Sequence, residues 1–262
     1  MKLLFWNLKE NKNEEYINQL LDEKAIDIAI FSEYAKTDFT KISKEYKCIE
    51  GMGGCDKVRM ILRSNIAGHV RREQSRYAIY TVKFDDVDYI IVGLHLQANN
   101  YSNSRVRMIT IRDLMNDLDS FKKESKIATT IIIGDFNAGP FDDDLVGKDG
   151  FNAVLFKDII EKNKQVKFQN KYYRFLYNPI IEYLSETKKQ YGSFYYSNGI
   201  NSIYWYCYDQ VLLSRNLRDS IKDLEYCKII NGKSLLKNVA LNSEISDHLP
   251  LFVELKGVLL DA

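Results

Sequence analysis

Residues 130–137 read Thr-Ile-Ile-Ile-Gly-Asp-Phe-Asn, an apolar run that ends in two polar side chains. The β-branched residues of the run favour a strand, and their apolar character on both faces indicates a strand covered on each side, as in the centre of a layered α/β domain. Asp135 and Asn137 follow at a spacing of two, so if the strand geometry persists both side chains point to one face. The stretch therefore predicts a buried strand that delivers a carboxylate and an amide to its end.

The same pattern, an apolar run stopped by a polar residue, occurs at residues 3–6 before Asn7, at 26–31 before Glu33 and at 89–94 before His95. Hydrophobic residues at helical spacing predict outer helices over 14–24 and 104–121. Further strands are predicted over 202–207, 210–213 and 249–255, and residues 138–200 are predicted to form loops and short helices. The polar strand ends are expected to converge at one edge of the fold.

Length and composition are those of a packed globular protein. The chain has 262 residues, of which 45% are hydrophobic and 28% charged, and a formal net charge of +1. One domain spanning 1–262 is expected, and no global field indicates a polyanionic partner. The four cysteines form no CxxC pair, and no apolar run approaches the roughly 18 residues of a membrane span. We therefore expect a cytoplasmic protein without stable membrane association, and protein partners are not indicated.

Polar residues at the other strand boundaries have chemical and structural interpretations. Asp247 and His248 stand side by side before the run 249–255, and adjacent strand residues face opposite ways, so both serve one site only if the turn curls back. Asp209 interrupts an aromatic and aliphatic strand, where an acid is costly unless paired; a histidine that it orients is the simplest partner, and a structural salt bridge is the alternative. Oxygen ligands such as those of Glu33 and Asn7 suit Mg²⁺ or Mn²⁺, although each residue singly also fits a solvated terminus or a cap.

In this order the residues resemble the endonuclease/exonuclease/phosphatase superfamily, the DNase I-like proteins. The matching segments run from Asn7 to Pro250 and are Phe-Trp-Asn-Leu with Asn7, Ile-Phe-Ser-Glu-Tyr with Glu33, Gly-Leu-His-Leu with His95, Ile-Gly-Asp-Phe-Asn with Asp135 and Asn137, Tyr-Asp-Gln-Val-Leu with Asp209, and Ser-Asp-His-Leu-Pro with Asp247 and His248. Other stretches, among them Tyr-Asn-Pro at 177–179, resemble bacterial members. The resemblance implies a four-layer α/β/β/α sandwich of two packed mixed sheets flanked by helices.

The resemblance also implies the roles of the site residues. Glu33, with help from Asn7 and Asp247, is expected to bind Mg²⁺ or Mn²⁺. His95, Asn137 and His248 are expected to contact the phosphate, Asp135 to position or deprotonate the attacking water, and Asp209 to orient His248. The expected activity is hydrolysis of a phosphate ester by direct attack of water, without a covalent enzyme intermediate.

Substrate identity rests on surface composition. Two arginine-rich stretches, at 57–76 and at 105–112, and the aromatic residues Tyr195, Tyr196, Tyr204, Trp205 and Tyr206 favour a nuclease acting on DNA or RNA. The same arginines also fit a solvated or ion-paired surface, and the same aromatics fit a core. A phosphatase or phosphodiesterase of a lipid head group, inositol phosphate or small nucleotide is the first alternative. A non-catalytic binding module of the same fold is the second.

Overall fold

Two large mixed β-sheets form the centre of the molecule. The computed structural model describes residues 1–98, 103–197 and 202–256, and the structural statements below refer to these residues. The strands, in chain order, are β1 Lys2–Asn7, β2 Ile28–Ser32, β3 Tyr46–Cys48, β4 Val58–Arg63, β5 Ala67–Gln74, β6 Tyr77–Phe84, β7 Val87–His95, β8 Thr130–Asp135, β9 Ala153–Val154, β10 Gln165–Phe168, β11 Lys171–Arg174, β12 Leu176–Tyr177, β13 Phe194–Tyr195, β14 Trp205–Tyr206, β15 Asp209–Leu213, β16 Ile221–Tyr226, β17 Ile229–Ile230, β18 Lys233–Ser234, β19 Leu236–Lys237, β20 Ala240–Leu241 and β21 Leu251–Leu255.

The helices are few, and the longest two flank the sheets. They are α1 Glu14–Glu23, α2 Asn103–Ser125, α3 Asp143–Val146, α4 Lys157–Lys162 and α5 Ile180–Tyr183, with 3-10 turns at Phe39–Lys41 and Arg215–Leu217. The first sheet has the order β16-β21-β1-β2-β4-β3, and the second has the order β5-β6-β7-β8-β15-β12-β9. Four two-stranded sheets complete the fold: β10-β11, β13-β14, β17-β18 and β19-β20.

Alternation of side chains along the central strands explains the layers. In β8, Ile131 and Ile133 belong to the core between the two sheets, whereas Ile132 packs with α2 residues on the outer face of the second sheet. On the other side, Ile17 and Leu20 of α1 pack against the first sheet. Since successive strand residues point to opposite faces, both faces of each sheet are covered. The predicted four-layer α/β sandwich is confirmed.

Two glycines permit close approach in the middle of this core. A Cβ atom added to Gly134 in β8 would lie 2.1 Å from the carbonyl oxygen of Leu94 in the neighbouring strand. A Cβ atom at Gly93 in β7 would lie 2.7 Å from Val58 Cγ1 and 3.0 Å from Ile30 Cγ2, both in the first sheet. The absence of a side chain at Gly93 therefore contributes to the close spacing between the sheets.

The predicted elements at 3–6, 26–31, 89–94, 130–133, 210–213 and 249–255 are observed as strands, and those at 14–24 and 104–121 as helices. The predicted strand over 202–207 is wrong in extent, because only Trp205–Tyr206 is extended and Tyr204 has φ +59°. The interval 138–200 contains the predicted short helices but also a hairpin, β10-β11, which the sequence analysis missed. All four cysteines are free, and none of the described helices is long and apolar enough to cross a bilayer.

Candidate active site

Three polar residues form one row across the end of the second sheet. Strand pairing places His95 of β7 opposite Asp135 of β8, and Asp135 opposite Asp209 of β15. Each side chain lies on the same face of its strand as residues that face the first sheet, such as Ile133 in β8 and Val211 in β15. All three are buried, with exposed fractions of 8%, 1% and 0%. The sheet register thus brings together residues that are far apart in the sequence.

His248 joins this row from the turn that precedes β21 of the first sheet. Its Nδ1 atom lies 2.7 Å from Asp209 Oδ2, and its Nε2 atom lies 3.8 Å from Asp135 Oδ2. The turn before β21 is fixed at three points: Trp6 Nε1 donates to the His248 carbonyl at 3.0 Å, Ser246 Oγ donates to the Asn7 carbonyl at 2.7 Å, and the His248 amide donates to Ser246 Oγ at 3.0 Å. The turn before β21 therefore bends back toward the site, as it must for His248 to reach it.

Charge on this pair follows from its surroundings. Burial acts to lower the pKa of His248, but the carboxylates of Asp209 and Asp135 outweigh burial and raise this pKa to about 10. Burial raises the pKa of Asp209, and the contact with His248 opposes that rise. The contact is accordingly a buried, charge-assisted hydrogen bond that fixes the imidazole with Nε2 toward Asp135. The prediction that a histidine pairs with Asp209 is confirmed as a contact.

Asn7 links Asp135 to Glu33 by hydrogen bonds. Asn7 Nδ2 donates to Glu33 Oε1 and to Asp135 Oδ2, at 3.1 Å in each case. His95 Nε2 lies 3.4 Å from Glu33 Oε1 and 3.7 Å from Asp135 Oδ2. The side chain of Glu33 is 35% exposed, so this part of the cluster opens to water.

The donor set around Asn7 fits a hard divalent cation. The carboxylate oxygens of Glu33 and Asp135 both lie within hydrogen-bond distance of one amide nitrogen, and such oxygens are the ligands that Mg²⁺ and Mn²⁺ prefer. A second group, Asp135, Asp209 and His248, has ligand atoms within 4.8 Å of one another. In that group Asp209 Oδ2 and His248 Nδ1 already contact each other, and all three residues are buried, whereas Mg²⁺ usually retains several waters. The half-open side at Glu33 is the better candidate.

The backbone conformation at Asn137 differs from the expected one. Strand β8 ends at Asp135, and Asn137 has φ +49°, so the extended geometry assumed for a spacing of two does not persist. Instead the Asn137 amide donates to Asp135 Oδ1 at 2.8 Å, and Asn137 Nδ2 donates to the Leu96 carbonyl at 2.9 Å. The expected same-face arrangement is wrong. The turn nevertheless keeps Asn137 beside Asp135, because the Asp135 carboxylate accepts from its backbone.

Asp247 diverges from the other expected metal ligands. Its Oδ2 atom lies 3.5 Å from Lys9 Nζ, and both side chains are about one-third exposed. Within the described ranges it has no hydrogen bond or ion pair with Glu33 or Asn7. The contact observed for Asp247 is therefore with a cation and not with the expected metal-binding residues.

Three residues that support the site could not be recognised from the sequence, namely Ser193, Tyr226 and Arg107. The Asp209 amide donates to Ser193 Oγ at 3.1 Å, and Tyr226 Oη donates to the Asp209 carbonyl at 2.7 Å. Arg107, grouped by sequence with arginines that contact nucleic acid, is 2% exposed and forms a buried ion pair with Asp144. Its Nη1 atom also donates to the Asn137 carbonyl at 3.0 Å. No pattern in the sequence connects Arg107 with Asp144.

An aromatic surface adjoins His248. The Phe194 ring lies 5.0 Å from the His248 ring and 5.4 Å from the Tyr208 ring, and Tyr206 lies 5.2 Å from Tyr208. Phe194, Tyr206 and Tyr208 are half-buried, and the nearby Tyr196 and Tyr204 are exposed by 47% and 45%. These aromatics therefore do not fill a core, and several remain accessible next to the reactive cluster.

No protein-family model and no curated protein sequence matches the chain. Solved structures do match in fold. The D. rerio TDP2 structure complexed with single-strand DNA product is 15% identical with a TM-score of 0.58, and the match covers 98% of each chain. The 3'-5' exonuclease NExo from Neisseria meningitidis is 14% identical with a TM-score of 0.56, covering 98% of this chain and 100% of the other. An endonuclease/exonuclease/phosphatase family protein from Leptotrichia buccalis is 13% identical with a TM-score of 0.55, covering 98% and 99%. The chain therefore has the DNase I-like fold.

Proposed function

We propose that this protein is a divalent-metal-dependent phosphoesterase that hydrolyses a phosphodiester bond of nucleic acid by direct attack of water, and that residues 1–262 form one catalytic domain. The observation that carries the proposal is the row of His95, Asp135 and Asp209 on three adjacent strands, joined by His248 from the turn before β21. A buried carboxylate between two imidazoles supplies a base and two groups that can neutralise phosphoryl oxygens.

Asp135 is the proposed base. Its Oδ1 atom accepts from the Asn137 amide, and its Oδ2 atom faces Asn7, His95 and His248. With both oxygens held by donors, the carboxylate has one fixed orientation toward an attacking water. General-base catalysis of this kind contributes about 10²- to 10⁴-fold to rate.

His248, His95 and Asn137 are the proposed phosphate-binding groups. His248 is held by Asp209 with Nε2 toward the site, and its raised pKa gives it positive charge at neutral pH. His95 presents Nε2 on the other side of Asp135. Donors that are held in place before reaction stabilise charge on phosphoryl oxygens without reorganisation, which is usually the largest catalytic contribution.

Glu33 and Asn7 are the proposed metal-binding residues, with Asp247 as a contributor; for Asn7 this role requires its Oδ1 atom, which here accepts from the Lys9 amide at 3.0 Å. When bound there, Mg²⁺ or Mn²⁺ supplies Lewis-acid stabilisation of the phosphoryl group. The Asn7 amide lies between Glu33 and Asp135, so it links the metal-binding side of the cluster to the base.

Two observations favour nucleic acid as the substrate. Accessible aromatic rings lie next to His248, and base stacking on aromatic side chains contributes about 1–3 kcal/mol per base. In addition, the structurally similar TDP2 was solved with single-strand DNA product, and NExo is a 3'-5' exonuclease. Both are distant in sequence and share the fold, so they support this substrate class by analogy.

The test is hydrolysis of four substrates by purified protein: circular DNA, single-stranded DNA, RNA and bis-p-nitrophenyl phosphate, each with Mg²⁺, with Mn²⁺ and with a chelator. We expect metal-dependent cleavage of nucleic acid and slower cleavage of the small ester. Asp135→Asn is expected to retain the fold and to lose at least about 10²-fold in kcat.

Asp88→Asn is the matched control, because Asp88 is exposed on the other end of β7 and makes the same change of charge. Near-wild-type turnover of the Asp135 variant would refute the assignment of the base. Activity on a lipid or inositol phosphate but on no nucleic acid would refute the substrate class. No activity on any ester with either metal would favour a binding module.

A further inference from the structure

A second, strongly basic cavity lies on the outer face of the second sheet. Its volume is about 910 Å³, within the range of ligand-binding pockets, and it lies between the carboxyl-terminal half of α2, the turn after α3 and the hairpin β10-β11. Helix α2 and the residue after it contribute the basic side chains of Arg112, Lys122, Lys123 and Lys126. The turn contributes Lys148, and the hairpin contributes Lys171 and Arg174.

Few acidic groups balance these cations. In the part of the chain that the structure describes, Asp119 and Asp149 are the only acids that line the cavity. Among the described residues, none of the seven cations forms a salt bridge. Burial lowers the pKa of Lys122 to about 8; Asp119 opposes this effect and the nearby Arg174 adds to it. In a chain whose net charge is only +1, so much uncompensated positive charge in one cavity matches an anionic ligand with several charges.

The hairpin adds aromatic side chains to this charge. Phe168 and Tyr172 are 48% and 58% exposed. Lysine ammonium groups lie over the rings of the hairpin: Lys148 at 5.4 Å from Phe168, Lys167 at 5.8 Å from Tyr172 and Lys171 at 5.1 Å from Tyr173. Alternating basic and aromatic side chains on one surface are the means by which proteins bind single-stranded nucleic acid without sequence preference.

The cavity is separate from the reactive cluster. Ile127 and Ala128, which line it, precede the first residue of β8, whereas Asp135 is the last residue of that strand. Five residue steps of roughly 3.3 Å place the two ends of β8 about 17 Å apart. A stacked strand with about 3.4 Å per nucleotide needs about five nucleotides to cover that distance.

We propose that the cavity between α2 and β10-β11 is a second binding site for single-stranded nucleic acid, which holds the phosphate backbone of a substrate strand away from the point of cleavage. The proposal rests on the proposed function for its substrate class. It further predicts that a longer strand binds more tightly than a shorter one, because the longer strand also contacts this cavity.

The experiment compares wild-type protein with the triple variant Lys126→Glu, Lys148→Glu and Lys171→Glu. All three side chains are exposed, so the fold is expected to persist, and thermal melting checks it. The matched control is Lys44→Glu, Lys188→Glu and Lys237→Glu, which changes the net charge equally at exposed lysines outside the cavity. Binding of oligodeoxythymidylates of about 20 and about four nucleotides is measured in chelator at several salt concentrations.

For the wild type and the control we expect the longer strand to bind more tightly. For the cavity variant we expect at least about tenfold weaker binding of the longer strand, little change for the shorter one, and a salt dependence whose slope falls by about 2, since each contact with a single-strand phosphate contributes about 0.7. Hydrolysis of bis-p-nitrophenyl phosphate, which is too small to reach both sites, is expected to be unchanged.

Equal weakening in the cavity variant and the control would overturn the proposal, because only net charge would then matter. Unchanged binding of the longer strand by the cavity variant would overturn it as well. In both cases cleavage of nucleic acid by the wild type would leave the proposed function intact. Wild-type protein that hydrolyses the small ester but binds neither oligonucleotide would refute the nucleic-acid substrate and this site together.

Discussion

Substitution of Asp209 by asparagine tests the contact between the two sheets at the reactive cluster. The change is nearly isosteric and removes one negative charge from a carboxylate that is fully buried and lies 2.7 Å from His248 Nδ1. The asparagine oxygen can still accept from Nδ1, so the hydrogen bond persists while its charge assistance is lost. We therefore expect the geometry to survive and the positive charge on His248 to be less well stabilised.

The magnitude follows from the contact itself. Hydrogen bonds to charged groups contribute about 1.5–3 kcal/mol, and each 1.36 kcal/mol of lost transition-state stabilisation lowers a rate tenfold. Asp209→Asn is accordingly expected to lower kcat by about 10- to 100-fold and to change KM little, because Asp209 is fully buried and not available to substrate. The assay is steady-state hydrolysis of bis-p-nitrophenyl phosphate with saturating Mg²⁺, with Asp88→Asn as control and thermal melting as a check of fold.

An unchanged kcat would refute the role of Asp209 as a positioning residue for His248. A loss confined to KM would also refute it, because that outcome would mean that Asp209 acts on substrate binding rather than through the imidazole. If Asp209→Asn does not fold, Asp209→Glu is measured in its place, because that variant keeps the charge but displaces it. Recovery of the fold without recovery of kcat would then support a positioning role for Asp209.

Three further outcomes are expected from the geometry. Glu33→Gln should raise the Mg²⁺ concentration at half-maximal activity at least about tenfold with little change in melting temperature, and an unchanged metal titration would contradict the metal assignment. Arg107→Ala should lower the free energy of unfolding in urea by about 3–5 kcal/mol, because it leaves a buried carboxylate unpaired, whereas the exposed Arg105→Ala should change it by less than about 0.5 kcal/mol. Gly134→Ala should destabilise the protein by about 1–3 kcal/mol or more, since the added Cβ atom would meet a neighbouring strand. The control Gly139→Ala, where the nearest atom is 3.6 Å from the added Cβ atom, should be close to neutral. Equal melting temperatures of the two variants would refute the close approach at Gly134.

Much of the fold could be predicted because its central strands are covered on both faces. Residues 3–6 and 131–133 are continuously apolar, which distinguishes them from half-exposed strands and from amphipathic helices. The hairpin β10-β11 could not be found in this way, because most of its residues are exposed and it packs into neither large sheet. A turn at Gln169 and Asn170, with φ of +43° and +62°, sets the hairpin, and neither residue is a glycine that would have marked it.

The candidate site was predictable as a set of residues but not as a set of contacts. Strand ends were visible in the sequence, so Asp135, His95 and Asp209 could be named, and their register follows from the sheet. The positions of side chains in turns were harder to predict from the sequence. Asn137 leaves the strand at φ +49°, and Asp247 turns toward Lys9, because backbone geometry outside regular elements is decided by local hydrogen bonds that no periodicity records.

Through Gly93, the geometry of the reactive cluster depends on core residues that do not belong to the cluster. His248 lies in the turn before β21 of the first sheet and Asp135 ends β8 of the second, so the separation of their side chains depends on the spacing of the two sheets. Gly93 faces Val58 and Ile30 across the core between the sheets, and a methyl group at position 93 would lie 2.7 Å and 3.0 Å from their side chains. Catalytic tuning in this fold is thus accessible through core volume: a larger residue at position 93, or a smaller one at 58 or 30, would alter the spacing of base and imidazole while every catalytic side chain stayed the same.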